Sequence, residues 1–327
     1  MLSDPPKKEQ ILLFLNRRGY ANYPVCATCG EPMKCTCCDV TLTLHQSSNA
    51  YRCHMCGYMI SATSNCRICN SSKIKQLGFG TEKIEAAVKG LFPDACVARM
   101  DQDTTSTKGS VLKILKKVRD KKTDVLIGTQ MIAKGHDFPG ITLVGIICAD
   151  QSLNFPDFRA CERTFQLLAQ VAGRAGRGDK PGRVILQTYN PEHFSIIAAK
   201  SQDFYKFYDS EILFRKSLGY PPFSRMVMIK ISASDRSKAS QYARLTGDFL
   251  NNTMVTKRES FNTISILGPV EAAILKMANR FRWQILLKSS NAVQLHRLAA
   301  LLVEETSKSL KKKDLRITVD IDPYYMM

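Results

Sequence analysis

Asp124-Val-Leu-Ile-Gly-Thr129 and Ile141-Thr-Leu-Val-Gly-Ile-Ile-Cys148 are two short apolar runs separated by a polar, glycine- and proline-containing segment. Neither run alternates polar with apolar residues, so both read as strands buried on two faces, as in a parallel sheet. Working outward, Thr81–Phe92 reads as a helix opened by Thr81, with Glu82 and Glu85 in its first turn. Cys96–Met100 is a short strand. Lys108–Asp120 is an amphipathic helix with Val111, Leu115 and Val118 on one face. Phe158–Gly176 is a long helix and Arg183–Thr188 a further strand. Strands alternating with helices predict βαβ units around a parallel sheet. Gln10–Leu15 (QILLFL) has the same buried-strand texture and belongs to that sheet, far ahead of its partners in sequence.

Between this early strand and the rest lies a block of different composition. Residues 26–71 hold nine of the chain's twelve cysteines. They fall as Cys26-x-x-Cys29, Cys35-x-x-Cys38, Cys53-x-x-Cys56 and Cys66-x-x-Cys69. Eight thiolates suffice for two tetrahedral Zn²⁺ ions, and all-cysteine ligation marks structural sites with no open position. Disulfides and an iron–sulfur cluster use the same residue type; the even C-x-x-C spacing in an intracellular setting favours zinc. Three pairings are possible. We favour the nested one, with Cys26, Cys29, Cys66 and Cys69 on one ion and Cys35, Cys38, Cys53 and Cys56 on the other. An insertion must leave and rejoin the sheet at nearby points, and the outer pairs would clamp them. Cys37 could compete with Cys38, and His45 and His54 are further candidate ligands. Cys96, Cys148 and Cys161 sit at core-like positions and read as small hydrophobes.

After residue 191 the pattern changes. Phe194–Leu218 reads as a helix ended by Gly219-Tyr-Pro-Pro222. Strand Met226–Ile231, helix Lys238–Asn251, strands Ile264–Leu275 and Trp283–Lys288, helix Val293–Glu305 and strand Leu315–Ile321 follow. That β-α-β-β-α-β order predicts a ferredoxin-like α/β sandwich. The expected organisation is therefore a discontinuous parallel-sheet domain (1–25 and 72–190), a zinc-binding insertion (26–71) and a C-terminal α/β domain (191–327).

The formal net charge is +18, spread over the folded segments, and nucleic acid is the leading partner for such a surface. The longest apolar runs fall far short of the ~20 residues a membrane span needs, and residues 1–6 lack a signal-peptide shape. A soluble, intracellular protein without a membrane partner is expected.

Two segments suit phosphate chemistry. The first is the loop after strand Asp124–Thr129, with Thr129, Gln130, Lys134, Gly135, His136 and Asp137 at a strand's carboxyl end, where parallel α/β sheets bind ligands. The second is Gln170-Val-Ala-Gly-Arg-Ala-Gly-Arg177 at a helix end. Arg174 and Arg177 each follow a glycine, so close backbone approach is paired with rigid guanidinium forks that match phosphate oxygens.

Strand–G-T-Q-M-x-x-K-G-x-D-F-P and Q-V-A-G-R-A-G-R resemble motifs V and VI of superfamily 2 helicases. The eight cysteines, Leu13-Phe-Leu-Asn-Arg-Arg-Gly19, Gly78-Phe-Gly-Thr-Glu82, Asp101-Gln-Asp-Thr-Thr105, Asp157-Phe-Arg-Ala-Cys-Glu-Arg163 and Arg282-Trp-Gln-Ile-Leu-Leu287 narrow the resemblance. Together they are similar to the C-terminal half of the PriA (primosomal protein N′) family of replication-restart helicases. The resemblance implies a second RecA-like lobe carrying a zinc insertion, within an ATP-dependent 3′–5′ DNA helicase of the bacterial cytoplasm and nucleoid. It implies that Arg174 and Arg177 reach the γ-phosphate of ATP–Mg²⁺, with Gln170 in the same interface. Thr129, Gln130, Lys134, Gly135 and Asp137 would couple DNA to nucleotide, and Gly80 and Thr81 would hold a DNA phosphate at a helix N-terminus. Forked DNA and primosome proteins are the implied partners. The 327 residues contain no G-x-x-x-x-G-K-[ST] and no acidic box. ATP hydrolysis would then need a first lobe from elsewhere, and a non-enzymatic, zinc-dependent DNA-binding or docking module is the alternative reading.

Overall fold

The computed structural model describes residues 9–15, 23–36, 41–45, 49–53, 56–77, 81–101, 104–105, 107–133, 138–153, 155, 157–178, 180–308 and 314–326. By packing, the chain forms two compact units: Met1–Glu31, Cys66–Phe155 and Arg159–Ser210 in the first; Pro32–Asn65, Pro156–Phe158 and Glu211–Met327 in the second.

In chain order, β1 (Gln10–Leu15) is followed by β2 (Tyr23–Cys26), β3 (Thr43–His45), β4 (Ala50–Arg52), β5 (Met59–Ser61) and β6 (Ile74–Leu77). Then come α1 (Thr81–Leu91), β7 (Val97–Met100), α2 (Ser110–Arg119), β8 (Val125–Gly128), α3 (Gln130–Ala133) and β9 (Ile141–Ile147). The first unit continues through α4 (Asp150–Leu153), α5 (Ala160–Ala172), β10 (Arg183–Leu186) and α6 (Phe194–Ser201), and α7 (Phe204–Ser217) leads out of it. The second unit holds β11 (Arg225–Ala233), α8 (Arg236–Thr256), β12 (Ile264–Met277), β13 (Arg280–Ser289), α9 (Ala292–Lys308) and β14 (Arg316–Ile321).

The first unit is built on an all-parallel sheet ordered β10-β9-β1-β8-β7. The early strand β1 is therefore central, and all six of its residues are buried. Alternation divides them between two cores. Leu12 and Phe14 pack with Ile146, Phe165, Leu168 and Val171 on one face. Ile11 and Leu13 pack with Val88 and Ile127 on the other. Helices on both faces explain the unbroken apolar runs of β1 and β8. This is the parallel sheet of βαβ units that the strand–helix alternation predicts, and the RecA-like lobe that the resemblance implies.

The second unit carries an antiparallel sheet ordered β12-β13-β11-β14. With α8 and α9 as crossovers, this is the ferredoxin-like sandwich. Its core gathers Val227, Ile229, Trp283, Ile285 and Leu287 from the sheet with Ala243, Leu250, Leu298 and Leu302 from the helices.

Element boundaries shift modestly from the sequence reading. The single helix expected over 194–218 is two. Gln202 adopts φ 53°, a left-handed turn that ends α6, and the Asp203 carboxylate accepts from Lys206 N (3.0 Å) to start α7. Within β12 the register shifts between Leu267 and Val270, around a cis Gly268–Pro269 bond. Gly268 has φ 95°, so the strand runs through a bulge where glycine is required.

Candidate metal centre and phosphate-facing segments

The C-x-x-C pairs fold into one repeated device. In three of them the amide four residues after the first cysteine donates back to that cysteine's carbonyl: Gly30 to Cys26 (3.0 Å), Gly57 to Cys53 (3.0 Å) and Asn70 to Cys66 (2.8 Å). The first cysteine's own amide donates to the residue five ahead: Cys26 to Glu31 (2.9 Å), Cys53 to Tyr58 (2.8 Å) and Cys66 to Ser71 (2.8 Å). The turn requires a left-handed residue directly after the second cysteine. Gly30, Gly57 and Asn70 stand there with φ 78°, 80° and 56°. Glycine and asparagine are the residues that reach this region at least cost.

In the first unit β2 and β6 pair antiparallel and bring two of these turns face to face. The sulfurs of Cys26, Cys29, Cys66 and Cys69 all lie within 4.8 Å of one another. Cys26 Sγ is 3.5 Å from Cys69 Sγ, and Cys29 Sγ is 3.6 Å from Cys66 Sγ. Tetrahedral zinc with Zn–S bonds of ~2.3 Å places its sulfurs roughly 3.8 Å apart, so the donor set fits that ion. Burial pushes the Cys26 thiol up, but the amides of Cys29 and Thr28 and the neighbouring sulfurs outweigh it and bring it down to about 6.

In the second unit Cys35, Cys53 and Cys56 cluster in the same way, with Cys35 Sγ 3.5 Å from Cys56 Sγ. Cys38, Cys37 and His54 lie outside the described residues. His45, on β3, is not part of this thiol cluster; burial and the nearby Arg52 hold its imidazole below the ordinary value. The three-stranded ribbon β3-β4-β5 is tied to its own unit's sheet through Glu271, which is buried on β12. Its carboxylate meets Arg52 of β4 (3.0 Å) and Arg236 of α8 (2.7 Å).

The phosphate-facing segments belong to the first unit. Gly128 ends β8 where a Cβ would fall 1.9 Å from Ile132 Cδ1 and 2.8 Å from the Met100 carbonyl. Thr129 is buried, and its carbonyl accepts from Ile132 N (3.0 Å), which turns the chain into α3 beginning at Gln130. Lys134, Gly135, His136 and Asp137 lie outside the described residues.

The helix α5 carries Gln170 on its exposed side and ends at Gly173, whose amide donates to Ala169 (3.1 Å). Two tighter turns follow, Arg174 to Val171 (3.0 Å) and Ala175 to Ala172 (3.2 Å). The helical turns continue as far as Ala175, so Gln170 and Arg174 share a face at i and i+4, and the left-handed Gly176 then turns the chain before Arg177. Gly176, at φ 70°, donates to the Ile141 carbonyl (3.1 Å). A Cβ on Gly176 would sit 2.4 Å from Gly182 N, and one on Gly178 would sit 2.5 Å from Pro139 O. These backbone-to-backbone contacts seat the arginine loop on the segments that precede β9 and β10. Arg174 is half-buried; Arg177 is exposed and its Nε donates to the Gly173 carbonyl (2.8 Å).

At α1, Gly80 lies outside the described residues. Thr81 is fully buried and gives its hydroxyl to Asp101 Oδ2 (2.5 Å). That hydroxyl is spent inside the protein. Asp101 also accepts from Thr104 N (3.0 Å) and pairs with Arg99 Nε (3.1 Å). Its burial raises the carboxyl pKa, but the Thr81 and Thr104 hydrogen bonds and Arg99 together bring it below the ordinary carboxylate value. Sequence reasoning used Asp101 only as part of a resemblance; the Asp-x-x-Thr spacing, a carboxylate capping the amide three residues on, was the available signal. The pairing of Gly176 with Gly182 has no sequence signal, because it depends on tertiary approach.

Residues 35–60 match the PriA DNA helicase Cys-rich region domain, 58–179 the helicase conserved C-terminal domain, and 216–324 the primosomal protein N C-terminal domain. The chain belongs to the PriA family. It is 40% identical over 321 residues to the replication restart protein PriA of Bacillus subtilis, covering 98% of this chain and 39% of that protein. PriA of Haemophilus influenzae is 39% identical over 317 residues, with 97% of this chain and 42% of the relative covered. PriA of Treponema pallidum is 40% identical over 296 residues, with 90% and 44% covered. The chain thus spans about two fifths of the length of these relatives, in regions whose PriA family models are C-terminal. The match to a PriA Cys-rich domain and the thiol clusters both support zinc binding by this region. Among the described residues no helix is long and apolar enough to cross a membrane.

Proposed function

We propose that this chain is the C-terminal part of an ATP-dependent 3′–5′ DNA helicase that acts in replication restart and primosome assembly. Gln170 and Arg174 one turn apart at the end of α5, with Arg177 in the glycine loop held by the Gly176–Gly182 approach, carry the reading. Arg174 and Arg177 would donate to the oxygens of a transferring phosphoryl group, where an arginine finger is worth roughly 10³–10⁵ in rate. Gln170 would position within the same interface. Thr129 and Gln130, with Lys134, Gly135 and Asp137, would link the end of β8 to DNA. At α1, backbone amides from Gly80 onward would hold a phosphate, since the Thr81 hydroxyl is engaged. The triphosphate-binding loop and the Mg²⁺-holding acidic box would come from a first lobe outside these 327 residues.

Two zinc ions complete the proposal: one on Cys26, Cys29, Cys66 and Cys69, the other on Cys35, Cys38, Cys53 and Cys56. Residues 26–71 would act as the zinc-binding insertion of a lobe formed by 1–25 and 72–190, with 191–327 as the C-terminal domain. DNA and primosome proteins are the partners, at the bacterial nucleoid.

The test combines the chain with a Walker-A-bearing first lobe from a PriA relative and measures DNA-stimulated ATP hydrolysis. Activity should appear with the pair and vanish in Arg177→Ala while zinc content and melting temperature stay unchanged. DNA binding without any hydrolysis in the pair would point to a zinc-dependent binding module instead.

A further inference from the structure

A one-sided basic surface of the first unit lies on α2 and the turn that follows it. Residues 108–122 contain Lys108, Lys113, Lys116, Lys117, Arg119, Lys121 and Lys122 against a single acidic residue, Asp120. All seven cations are exposed. None makes an ion pair among the described residues. The helix α2 fixes their layout. Val111, Ile114, Leu115 and Val118 turn one face into the core, which leaves Lys113, Lys116 and Lys117 on the outer face. The chain then doubles back: Asp120 N donates to Lys116 O (2.8 Å), Lys121 N to Val118 O (3.0 Å) and Lys122 N to Lys117 O (2.9 Å). Lys121, at φ 55°, makes that turn, so Lys121 and Lys122 extend the basic surface past the helix end.

The helix dipole accounts for some of this charge, since cations near a C-terminus are favoured. It explains Lys116, Lys117 and Arg119, but not Lys108 or Lys113 before the last turn. Seven like charges on a ten-residue helix and its flanks, four of them on the helix itself, repel one another, and a polyanion relieves that repulsion. Ten residues of helix extend about 15 Å, the axial rise of roughly four nucleotides of one duplex strand.

We propose that the outer face of α2, with Lys121 and Lys122, is a docking surface for the phosphate backbone of duplex DNA. The inference rests on the reading that this chain binds DNA. Duplex is chosen over single strand because no aromatic side chain is interleaved with the cations. Single-strand grooves combine positive charge with rings on which bases stack. Here Leu112 is the large exposed apolar residue, and the remaining groups are charge alone.

The experiment uses the full 327-residue chain and compares blunt duplex with oligo(dT) across a salt series. The variant is Lys113→Gln/Lys116→Gln/Lys117→Gln/Lys122→Gln, which keeps helix propensity. A control, Lys238→Gln/Arg244→Gln/Lys257→Gln/Arg258→Gln, removes the same charge from exposed positions of α8 and the turn after it. The α2 variant should lower the log–log salt slope on duplex by about 3 to 4, at ~0.9 per lost phosphate contact, and weaken binding tenfold or more. Its oligo(dT) affinity and circular dichroism should match the parent chain, and the control should leave the duplex slope near the parent value. An unchanged duplex slope in the α2 variant, or an equal fall in the control, overturns the proposal. A parent chain that binds neither DNA overturns the reading beneath it. Binding to anionic phosphatidylserine vesicles but not to duplex, lost in the α2 variant, overturns the choice of partner.

Discussion

At the outer cysteine cluster, Gly30 lies so close to the Tyr189 backbone that a Cβ would fall 2.3 Å from its carbonyl oxygen. At the inner cluster, Gly57 of the same turn lies against Val270 Cγ1, 2.9 Å from where its Cβ would be. One turn design, used at both clusters, is thus seated against the segment after β10 in one case and against β12 in the other. The outer cluster closes the base of the insertion within the parallel-sheet unit. The inner cluster folds a ribbon onto the antiparallel unit, with a buried carboxylate as its fastening. Thiolate chemistry is shared; what differs is the surface each turn presents after its second cysteine.

Several changes would break that parallel. The largest effect is expected from Cys26→Ser with Cys66→Ser. Structural zinc contributes on the order of 10 kcal/mol to folding of small sites. The variant should lose outer-cluster metal and become protease-sensitive around residues 23–31 and 66–77, with the inner ribbon kept. The five-stranded sheet should persist, because its cores contain none of these four cysteines. Metal analysis and proteolysis read the two outcomes separately, and retention of metal would sink the four-thiol assignment.

Glu271→Ala should act on the inner cluster's seat alone. Removing one partner of a buried ion pair costs about 3–5 kcal/mol, moderated here because Arg236 is half exposed. Ribbon protection in hydrogen exchange should fall while metal stays bound. Equal loss of outer-cluster protection would break the separation of the two clusters.

Asp101→Asn should cost about 1.5–3 kcal/mol, the range for hydrogen bonds to a charged group. Its acid dependence has a definite sign. Because the folded carboxyl titrates lower than the unfolded one, its contribution is full above about pH 4 and is lost as pH falls through the folded value. Denaturant melts from pH 7 to 3 should show the parent losing this contribution and the variant not. The smallest structural effect belongs to Arg177→Ala, within about 0.5 kcal/mol as for an exposed side chain.

Much of this was legible from residue types. Unbroken apolar runs identified β1, β8 and β9 as inner strands, and the β-α-β-β-α-β order gave the second sheet its strand order. Gly30, Gly57 and Asn70 after the second cysteines were readable as left-handed positions, although spacing alone left three zinc pairings open. Other features needed the folded chain. Thr81 looked available to a ligand, yet its hydroxyl is turned inward by Asp101, which lies beside it only because β7 ends next to α1. Gln202 carries no helix-breaking signature, yet it takes the left-handed conformation that ends α6. The Glu271 fastening joins residues 219 apart in sequence, beyond any local pattern.

The central placement of β1 also governs how the chain must find its fold. Gln10 Nε2 donates to the Thr123 carbonyl (2.7 Å), a contact spanning 113 residues, while Cys26 and Cys69 meet across 43. Loop-closure entropy grows only with the logarithm of length. Pinching 43 residues out of a 113-residue loop therefore eases β1 docking by just about 0.4 kcal/mol. Metal capture by the outer thiols and assembly of the parallel sheet are thus nearly independent events. A chain emerging from the ribosome can complete its cysteine block early, and still must hold an apolar strand in waiting until β8 and β9 arrive on either side of it.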